Sequence, residues 1–288
     1  MLISEVIKAV KDYCGGIDAA TGLPIDDRTT RDKVTYGNTD QECTGIVTCI
    51  WPTTDVIREA RRLGANLIIS HEALFWNHGD RQNVVAGNKT FEAKVALLDE
   101  WGGAVWRCHD YIHSREPIDR DGAMVDGIFF GLAYKLGWLD YRVGDDVGFC
   151  MDFEIPEMDA TELAEYLVQK LDLNGTRIIG DPHARVHRIH IPMHVMGDAE
   201  GDTSEIAYAD QNDIDCLVTM EFIDFTTSEY IRDAGMLGQN KCAITIGHFN
   251  LEEPGMEYMP NWLPAALGTD EIPTTFVPMK DTYRYVIA

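Results

Sequence analysis

The sequence predicts an α/β protein of two α/β domains with mixed sheets flanked by helices, the second domain inserted into the first. Short apolar runs such as residues 45–50 and 67–70 alternate with amphipathic helical segments, which is the pattern of parallel β-α-β units. Further strand-like runs lie in the middle of the chain. We therefore predict a first domain of residues 1–140 and 242–288, and an inserted domain of residues 141–241.

The first domain begins with a predicted helix over residues 3–14, whose apolar side chains repeat with a helical period. A polar connection over residues 15–42 follows. A connection of this length is uncommon without a function, so we expect it to lie near the site. After the first strand, a helix capped by Thr53 and closed by Gly64 leads to the strand at residues 67–70.

This passage from helix to strand occurs three times, and each strand is followed by a histidine. The strands are residues 67–70, 104–108 and 242–246, and the histidines are His71, His109 and His248. In open α/β sheets, ligands bind outside the carboxyl ends of the strands. The recurrence therefore predicts a functional site built from these strand ends.

The predicted inserted domain contains four strand-like runs and one well-marked helix. The runs are residues 147–155, 177–179, 186–193 and 215–219, and Asp159 begins the helix. The last run leads into Glu221. Four histidines, His183, His187, His190 and His194, lie in and around the third run; we interpret them as part of a half-exposed strand, with a metal site as the alternative.

The charge balance argues against nucleic acid as a partner. The 288 residues contain 24 Lys and Arg against 48 Asp and Glu, a net charge of −24. Binding through nucleic-acid phosphates needs clustered basic side chains. A small molecule is the expected ligand, and an anionic one would need local help from a metal ion or a helix start.

The cysteines and the apolar pattern predict a cytoplasmic protein. Seven cysteines, without a C-x-x-C pair, are typical of reduced and buried thiols. The first residues form an amphipathic helix rather than the apolar core of a signal peptide. No apolar run approaches the roughly 20 residues that span a bilayer, so we expect no membrane partner.

Histidine and acidic side chains are spaced as metal ligands in two places. His248 and Glu252 are four residues apart and would share one face of a helix, as would His109 and His113. Mixed histidine and carboxylate donors are usual for zinc, iron, manganese and related ions. The sequence therefore predicts a metal site.

The ordered set of motifs resembles the Nif-three-like family, described as dinuclear-metal-centre hexameric toroid proteins and often labelled GTP cyclohydrolase I type 2. The resemblance covers nearly the whole chain. The matching segments are a T-x-x-V-I-x-x-A helix at residues 53–60, a G-A-x-L-I-I-S-H-H segment at 64–72, an H-x-x-x-D segment at 109–113 with a helix ending at 136–137, G-D-P at 180–182, a V-T-G-E-like stretch at 218–221, and G-H-x-x-x-E at 247–252.

This resemblance implies a dinuclear metal site and a homohexameric ring. Carried over residue by residue, the implied ligands of the two divalent ions are His71, Glu72, His113, His248 and Glu252. Zinc, iron, manganese, nickel and cobalt are not distinguished. Glu72 stands where the family has His, and His113 where it has Asp. We interpret this as a compensated exchange that keeps both ions, with one ion or none as the alternative.

The implied activity is that of a metal-dependent hydrolase acting on a nucleotide or pterin-type small molecule, with Glu221 as the candidate catalytic general base. We expect His109 to hold a ligand in place rather than to bind the ion, with direct binding as the alternative. The alternative functions are a non-enzymatic metal carrier or insertion factor and a regulatory interaction protein. The sequence has no GxxxxGK[ST] phosphate loop, so the nucleotide assignment depends on the resemblance.

Overall fold

The computed structural model describes residues 1–115, 117, 124–144, 151–192, 194–197 and 201–287. The chain forms two compact units, one of Met1–Gly131 with Gly255–Met279, the other of Leu132–Pro254 with Lys280–Ala288. Each unit contains one mixed sheet with helices packed against it, which confirms the predicted fold class.

The sheet of the first unit has five strands within the residues that the structure describes. Their order is β1 (Val34–Tyr36), β4 (Ala104–Arg107), β3 (Leu67–Ser70), β2 (Ile46–Cys49) and β11 (Thr274–Phe276). The strands from β4 to β11 are parallel to their neighbours, while β1 is antiparallel to β4. β2, β3 and β4 are buried along their whole length, as expected for parallel strands covered on both faces. β1 lies within the connection over residues 15–42, for which the sequence predicts a polar loop.

Helices flank the sheet of the first unit. They are α1 (Ile3–Tyr13), α2 (Thr54–Leu63), α3 (Lys89–Trp101) and the single turn α4 (Asp110–His113). Thr53 caps α2 by accepting a hydrogen bond from the backbone N–H of Val56, and Gly64 ends it with a φ of 71°. Side chains of β2, β3, β4, α2 and α3 form the core of this unit. Two further helices, α5 (Gly127–Leu136) and α9 (His248–Leu267), contain the unit boundaries.

Among the described residues, the sheet of the second unit has six strands. Their order is β5 (Arg142–Val143), β6 (Met151–Asp159), β8 (Arg185–Ile191), β9 (Cys216–Thr219), β10 (Cys242–Thr245) and β7 (Arg177–Gly180). β8, β9 and β10 are parallel to one another, and the other pairs are antiparallel. Residues 147–150 and 193 of the predicted strands lie outside the described residues.

In the part of the chain that the structure describes, three α-helices lie wholly within the second unit, α6 (Ala160–Lys170), α7 (Gly201–Gln211) and α8 (Thr227–Met236). Asp159 caps α6 as predicted, by accepting a hydrogen bond from the N–H of Thr161. Apolar side chains from α7, α8, β9 and β10 form a core cluster. Among the helices described here, none combines the length and the apolar character needed to cross a bilayer.

The unit boundaries differ from the domain boundaries that the sequence analysis proposes, which assign residues 242–288 to the first domain. β10 pairs with β9 and β7 in the second sheet, with Cys242 opposite Cys216 and Gly180. β10 is a fully buried parallel strand followed by a histidine, like β3. A local pattern shared by strands of both sheets does not tell which sheet a strand joins.

Two candidate metal centres

Among the described residues, each unit brings together one group of side chains that can hold a metal ion, at the carboxyl ends of parallel strands. The first group is His71, His109 and His113, and the second is His194, Glu221 and His248. In each group, one donor atom per residue lies within 4.8 Å of the others. Both units therefore use the edge of the sheet at which the sequence analysis expects the chemistry.

The first group is assembled by two neighbouring strands. Ser70 at the end of β3 pairs with Arg107 at the end of β4, so the residues that follow these strands are brought side by side. The ring of His71 stacks on that of His109 with 4.4 Å between centroids, and His113 on α4 meets both edge-on at 5.0 and 5.3 Å.

Each imidazole of the first group is oriented through its Nδ1 atom. The Nδ1 contacts are His71 with the carbonyl oxygen of Cys108 at 3.2 Å, His109 with Asp110 at 2.9 Å, and His113 with Asp126 at 2.7 Å. Carbonyl and carboxylate oxygens only accept hydrogen bonds, so Nδ1–H donates in each case. In this tautomer the lone pair is on Nε2, which is the arrangement of a metal-binding histidine held by an oxygen partner.

The imidazoles of the first group are largely shielded from solvent. His71 has no exposed surface and His113 is 4% exposed. Burial lowers the pKa of His109 to about 4, an effect that the nearby His113 strengthens and Asp110 opposes. Burial alone would raise the pKa of Asp110, but hydrogen bonds from His109, Arg31 and Thr30 outweigh it and lower that pKa well below its usual range.

Asp126 connects the first group to a helix start. One carboxylate oxygen contacts His113, and the other accepts hydrogen bonds from the backbone N–H groups of Ile128 and Phe129 at 3.0 and 3.1 Å. Asp126 therefore caps the first turn of α5 and is fixed by it. Nothing in the apolar periodicity points to this residue, although an acid directly before a helix is a capping signal.

Glu72 lies in the same unit and is balanced by a buried arginine. Arg107, which is 1% exposed, donates from Nη2 to Glu72 at 2.9 Å and from Nε to the carbonyl oxygen of His71 at 3.0 Å. The other carboxylate oxygen of Glu72 is 3.9 Å from Nε2 of His109. A carboxylate thus stands beside the three imidazoles, with its charge compensated by Arg107.

A cavity of about 320 Å³ reaches the first group. His113 and Ser114 form part of its wall, and Gly15, Ile17 and Asp18 form another part. The polar connection for which the sequence analysis predicts a place near the site therefore contributes residues next to His113.

The second group is assembled by three neighbouring strands. His194 follows β8, Glu221 follows β9 and His248 follows β10, and these strands are adjacent and parallel. Gly247 has a φ of +105°, a conformation that side-chain-bearing residues rarely adopt, where the chain turns from β10 into α9. His248 is then the first residue of α9.

Glu221 is the centre of the second group. Its two carboxylate oxygens contact Nδ1 of His194 at 2.7 Å and Nδ1 of His248 at 2.5 Å. Burial raises the pKa of Glu221, but the hydrogen bonds from both imidazoles outweigh this and lower it to about 2. Nε2 of His248 lies 3.0 Å from Glu252 one helical turn later, which agrees with the predicted shared helix face.

The predicted site residues come from both units. His71, Glu72 and His113 belong to the first unit, and His248, Glu252 and Glu221 to the second. The single five-residue dinuclear site implied by the resemblance, and the role of Glu221 as a base, stay predictions. Three residues outside the predicted ligand set join the groups: His109, His194 and the predicted base Glu221.

The remaining histidines of the 183–194 stretch are held by other partners. His183 is an exposed neighbour of Asp159, and His187 contacts the carbonyl oxygen of Ile155. His190 is buried between Asp152 and Glu205. Within the described residues, His194 alone of this stretch belongs to a candidate metal group.

Both groups fit a divalent transition metal. Imidazole nitrogens with carboxylate oxygens are the donors that such ions prefer, and the oxygen partners at Nδ1 in the first group set the tautomer that a ligand needs.

Comparison with known proteins gives a consistent result. The family model described as Duf34/NIF3 (NGG1p interacting factor 3) matches residues 23–282. A protein of Clostridium acetobutylicum named GTP cyclohydrolase 1 type 2 homolog is 22% identical over 259 residues, covering 90% of each chain. A Bacillus cereus protein related to NIF3 superposes with a TM-score of 0.69 at 14% identity, and a Staphylococcus aureus hypothetical protein with 0.68 at 18%; each comparison covers 99% of both chains. The structural matches establish the fold.

Proposed function

This chain belongs to the Duf34/NIF3 family, as the sequence motifs predict, and from that premise we propose that it is a metal-dependent hydrolase-like protein acting on a nucleotide or pterin-type small molecule. The observation that carries the proposal is the meeting of His71, His109 and His113, with an oxygen partner at each Nδ1. The names of two clostridial relatives, both GTP cyclohydrolase 1 type 2 homologs, support a purine nucleotide as the first candidate.

The proposed cofactor is a pair of divalent ions, chosen among zinc, iron, manganese, nickel and cobalt. The proposed ligands are His71, Glu72, His113, His248 and Glu252, and the geometry supports His109 as a further donor in the first unit. Bound metal supplies Lewis acidity, which polarises a carbonyl or phosphoryl oxygen and makes water easier to deprotonate.

Glu221 has a proposed role that does not depend on proton transfer. Both of its oxygens contact imidazole nitrogens, so it holds the rings of His194 and His248 in a fixed orientation. Its use as a general base remains the competing proposal. Glu221→Gln separates the two: loss of a base changes the pH profile of turnover, whereas loss of a positioning group weakens metal binding in the second unit.

The first experiment measures metal content and turnover together. Protein purified without added metal should contain at least half an ion per chain, and the metal-loaded protein should hydrolyse at least one member of a nucleotide and pterin panel. His71→Ala and Glu252→Ala should abolish this turnover, while His183→Ala, an exposed histidine outside both groups, should not. Equal rates in all four proteins would refute the hydrolase proposal.

A specific observation favours one alternative, a metal carrier or insertion factor. His194 is 40% exposed and His248 25% exposed, so a metal ion in the second group would be accessible to an acceptor. Rapid and complete transfer of metal to an apo-acceptor, without turnover of any small molecule, would support the carrier. A regulatory interaction protein would instead keep its partner binding when ligands are replaced.

We also propose that the chain assembles into a homohexamer, because the family resemblance implies a toroid. Sedimentation or light scattering should give six times the mass of the chain. A monomer or dimer at all concentrations would contradict this assembly.

A further inference from the structure

A cavity of about 520 Å³ lies in the second unit beside the second donor group. Its volume is within the range of roughly 300–1,000 Å³ that is usual for small-molecule sites. Glu221 and His248 form part of its wall, next to Met220 and Ile246. The rest of the wall is polar and aromatic, and neither the predicted ligands nor the proposed base account for it.

Two arginines line the cavity and outnumber its one carboxylate, that of Glu221. Arg177 on β7 donates from Nε to the hydroxyl of Thr245 at 3.2 Å, and Arg284 donates to the carbonyl oxygen of Tyr283 at 3.4 Å. Across the described residues, no carboxylate forms an ion pair with either guanidinium. In a chain with 48 acidic and 24 basic residues, two such arginines in one cavity favour an anion from outside the protein.

The start of α9 adds to this preference. His248, Phe249 and Asn250 form its first turn and line the cavity. The N-terminus of a helix carries a partial positive charge. Because the arginines and the helix start border one space, their attraction for an anionic group is combined.

Aromatic rings form the other side of the cavity. Tyr283 and Tyr285 lie in the final segment of the chain, and Phe222 and Phe249 complete the set. Asn174 holds this segment through hydrogen bonds to Asp281 at 2.9 Å and to the carbonyl oxygen of Tyr283 at 2.7 Å. A planar ring between such side chains gains stacking as well as apolar burial.

We propose that this cavity binds a phosphorylated aromatic heterocycle, with Arg177 and Arg284 on the phosphate and the tyrosines on the ring. That this ligand is the substrate rests on the proposed function. That it binds in this cavity rests on the cavity alone. A nucleotide is the simplest ligand of this class.

The test is calorimetric binding to full-length, metal-free protein, so that chelation of a metal ion by phosphate does not contribute. The ligands are GTP, GMP, guanosine and inorganic triphosphate. GTP should bind at least about tenfold more tightly than guanosine, because charge-assisted hydrogen bonds to two guanidinium groups are lost in the nucleoside. Arg177→Ala and Arg284→Ala should each lower the affinity for GTP by about tenfold and leave the affinity for guanosine unchanged.

Matched variants separate recognition from folding. Arg232→Ala removes an exposed arginine on α8 outside the cavity and should bind GTP as the wild type does. Arg284→Lys keeps the charge and should recover part of the affinity. Tyr283→Ala should lower the affinities for GTP and guanosine by the same factor, whereas Tyr283→Phe should lower neither affinity.

The results distinguish this inference from the proposed function. Arginine-dependent GTP binding without turnover of any ligand would refute the hydrolase proposal and support the proposed binding site. Turnover with an unchanged KM in both arginine variants would refute the site and keep the hydrolase. The site is also refuted if guanosine binds as tightly as GTP, or if no ligand of the panel binds.

Discussion

The donor group of the first unit is buried and contains three imidazoles, whereas that of the second unit is half-exposed and centred on a carboxylate. His71 has no exposed surface, while His194 is 40% exposed. In the first group each ring has its own oxygen partner. In the second, two rings share the oxygens of Glu221. The same strand-end topology thus supplies one enclosed group and one accessible group.

This difference separates two requirements of a metal protein. A buried and oriented set of imidazoles favours tight retention, because its geometry is fixed before an ion binds. An accessible set beside a cavity of about 520 Å³ favours exchange with a ligand from solution. We therefore expect retention to depend on the first group and response to ligands on the second.

The largest expected effect is the loss of the enclosed centre in His71→Ala. Removing one of three buried donors should lower metal affinity in the first unit by about 100-fold or more. Replacing a residue that only hydrogen-bonds to a ligand already lowers metal affinity by about 10–100-fold. Metal per chain is measured by elemental analysis after dialysis. His183→Ala is the control, since its side chain is 79% exposed. Equal metal content in the two variants would remove the distinction between the groups.

Asp126→Asn should weaken the same centre by about 10–100-fold. Asparagine can still cap α5 through its oxygen, but an amide no longer supports the imidazole of His113 with a negative charge. Metal titration gives the affinity, and circular dichroism checks that the helix remains. An unchanged affinity would mean that the geometry of His113 does not depend on this carboxylate.

Chelation should release metal in two phases that differ by about tenfold or more in rate, the faster one from the second unit. A chelator approaches an exposed ion directly, whereas a buried ion is released only when the surrounding structure opens. Stopped-flow measurement with a coloured chelator resolves the phases. His194→Ala should remove the fast phase and leave the slow one, and a single phase in the wild type would contradict the contrast drawn above.

The smallest expected effect concerns the pH dependence of stability in the second unit. Burial lowers the pKa of His190, but its hydrogen bonds with Asp152 and Glu205 outweigh this and raise the pKa above 6.5. Protonated His190 therefore stabilises the fold below pH 6.5, and this contribution is lost as the pH rises through the raised value. When urea unfolding is measured from pH 6 upward, the free energy of unfolding should fall less with pH in Asp152→Asn than in the wild type. An identical slope would exclude this pair as the source.

Local features of the site were predictable, and long-range ones were not. Glycines and buried strands are short-range signals, so the strand before His71 and the helix that begins at His248 follow from the sequence. The membership of β10 in the second sheet depends on pairing with strands far away in the chain. No periodicity encodes that choice.

The side chains that orient the donors show the same limit. Arg107 lies within an apolar strand, where a charged side chain is not expected to be buried. Its contacts with Glu72 and His71 explain its burial, and they are known only from the structure. His194 follows β8 by three residues, and only the parallel pairing of β8 with β9 brings it to Glu221. Such contacts depend on register, which the sequence determines only through the complete fold.

The segment after Asp281 has a practical consequence for handling the protein. Because Tyr283 and Tyr285 form a wall of the larger cavity, any extension fused soon after them starts beside the accessible donors. A polyhistidine purification tag in that position would offer competing imidazoles to the ion being assayed. Metal stoichiometries are therefore best measured on protein from which every tag has been cleaved.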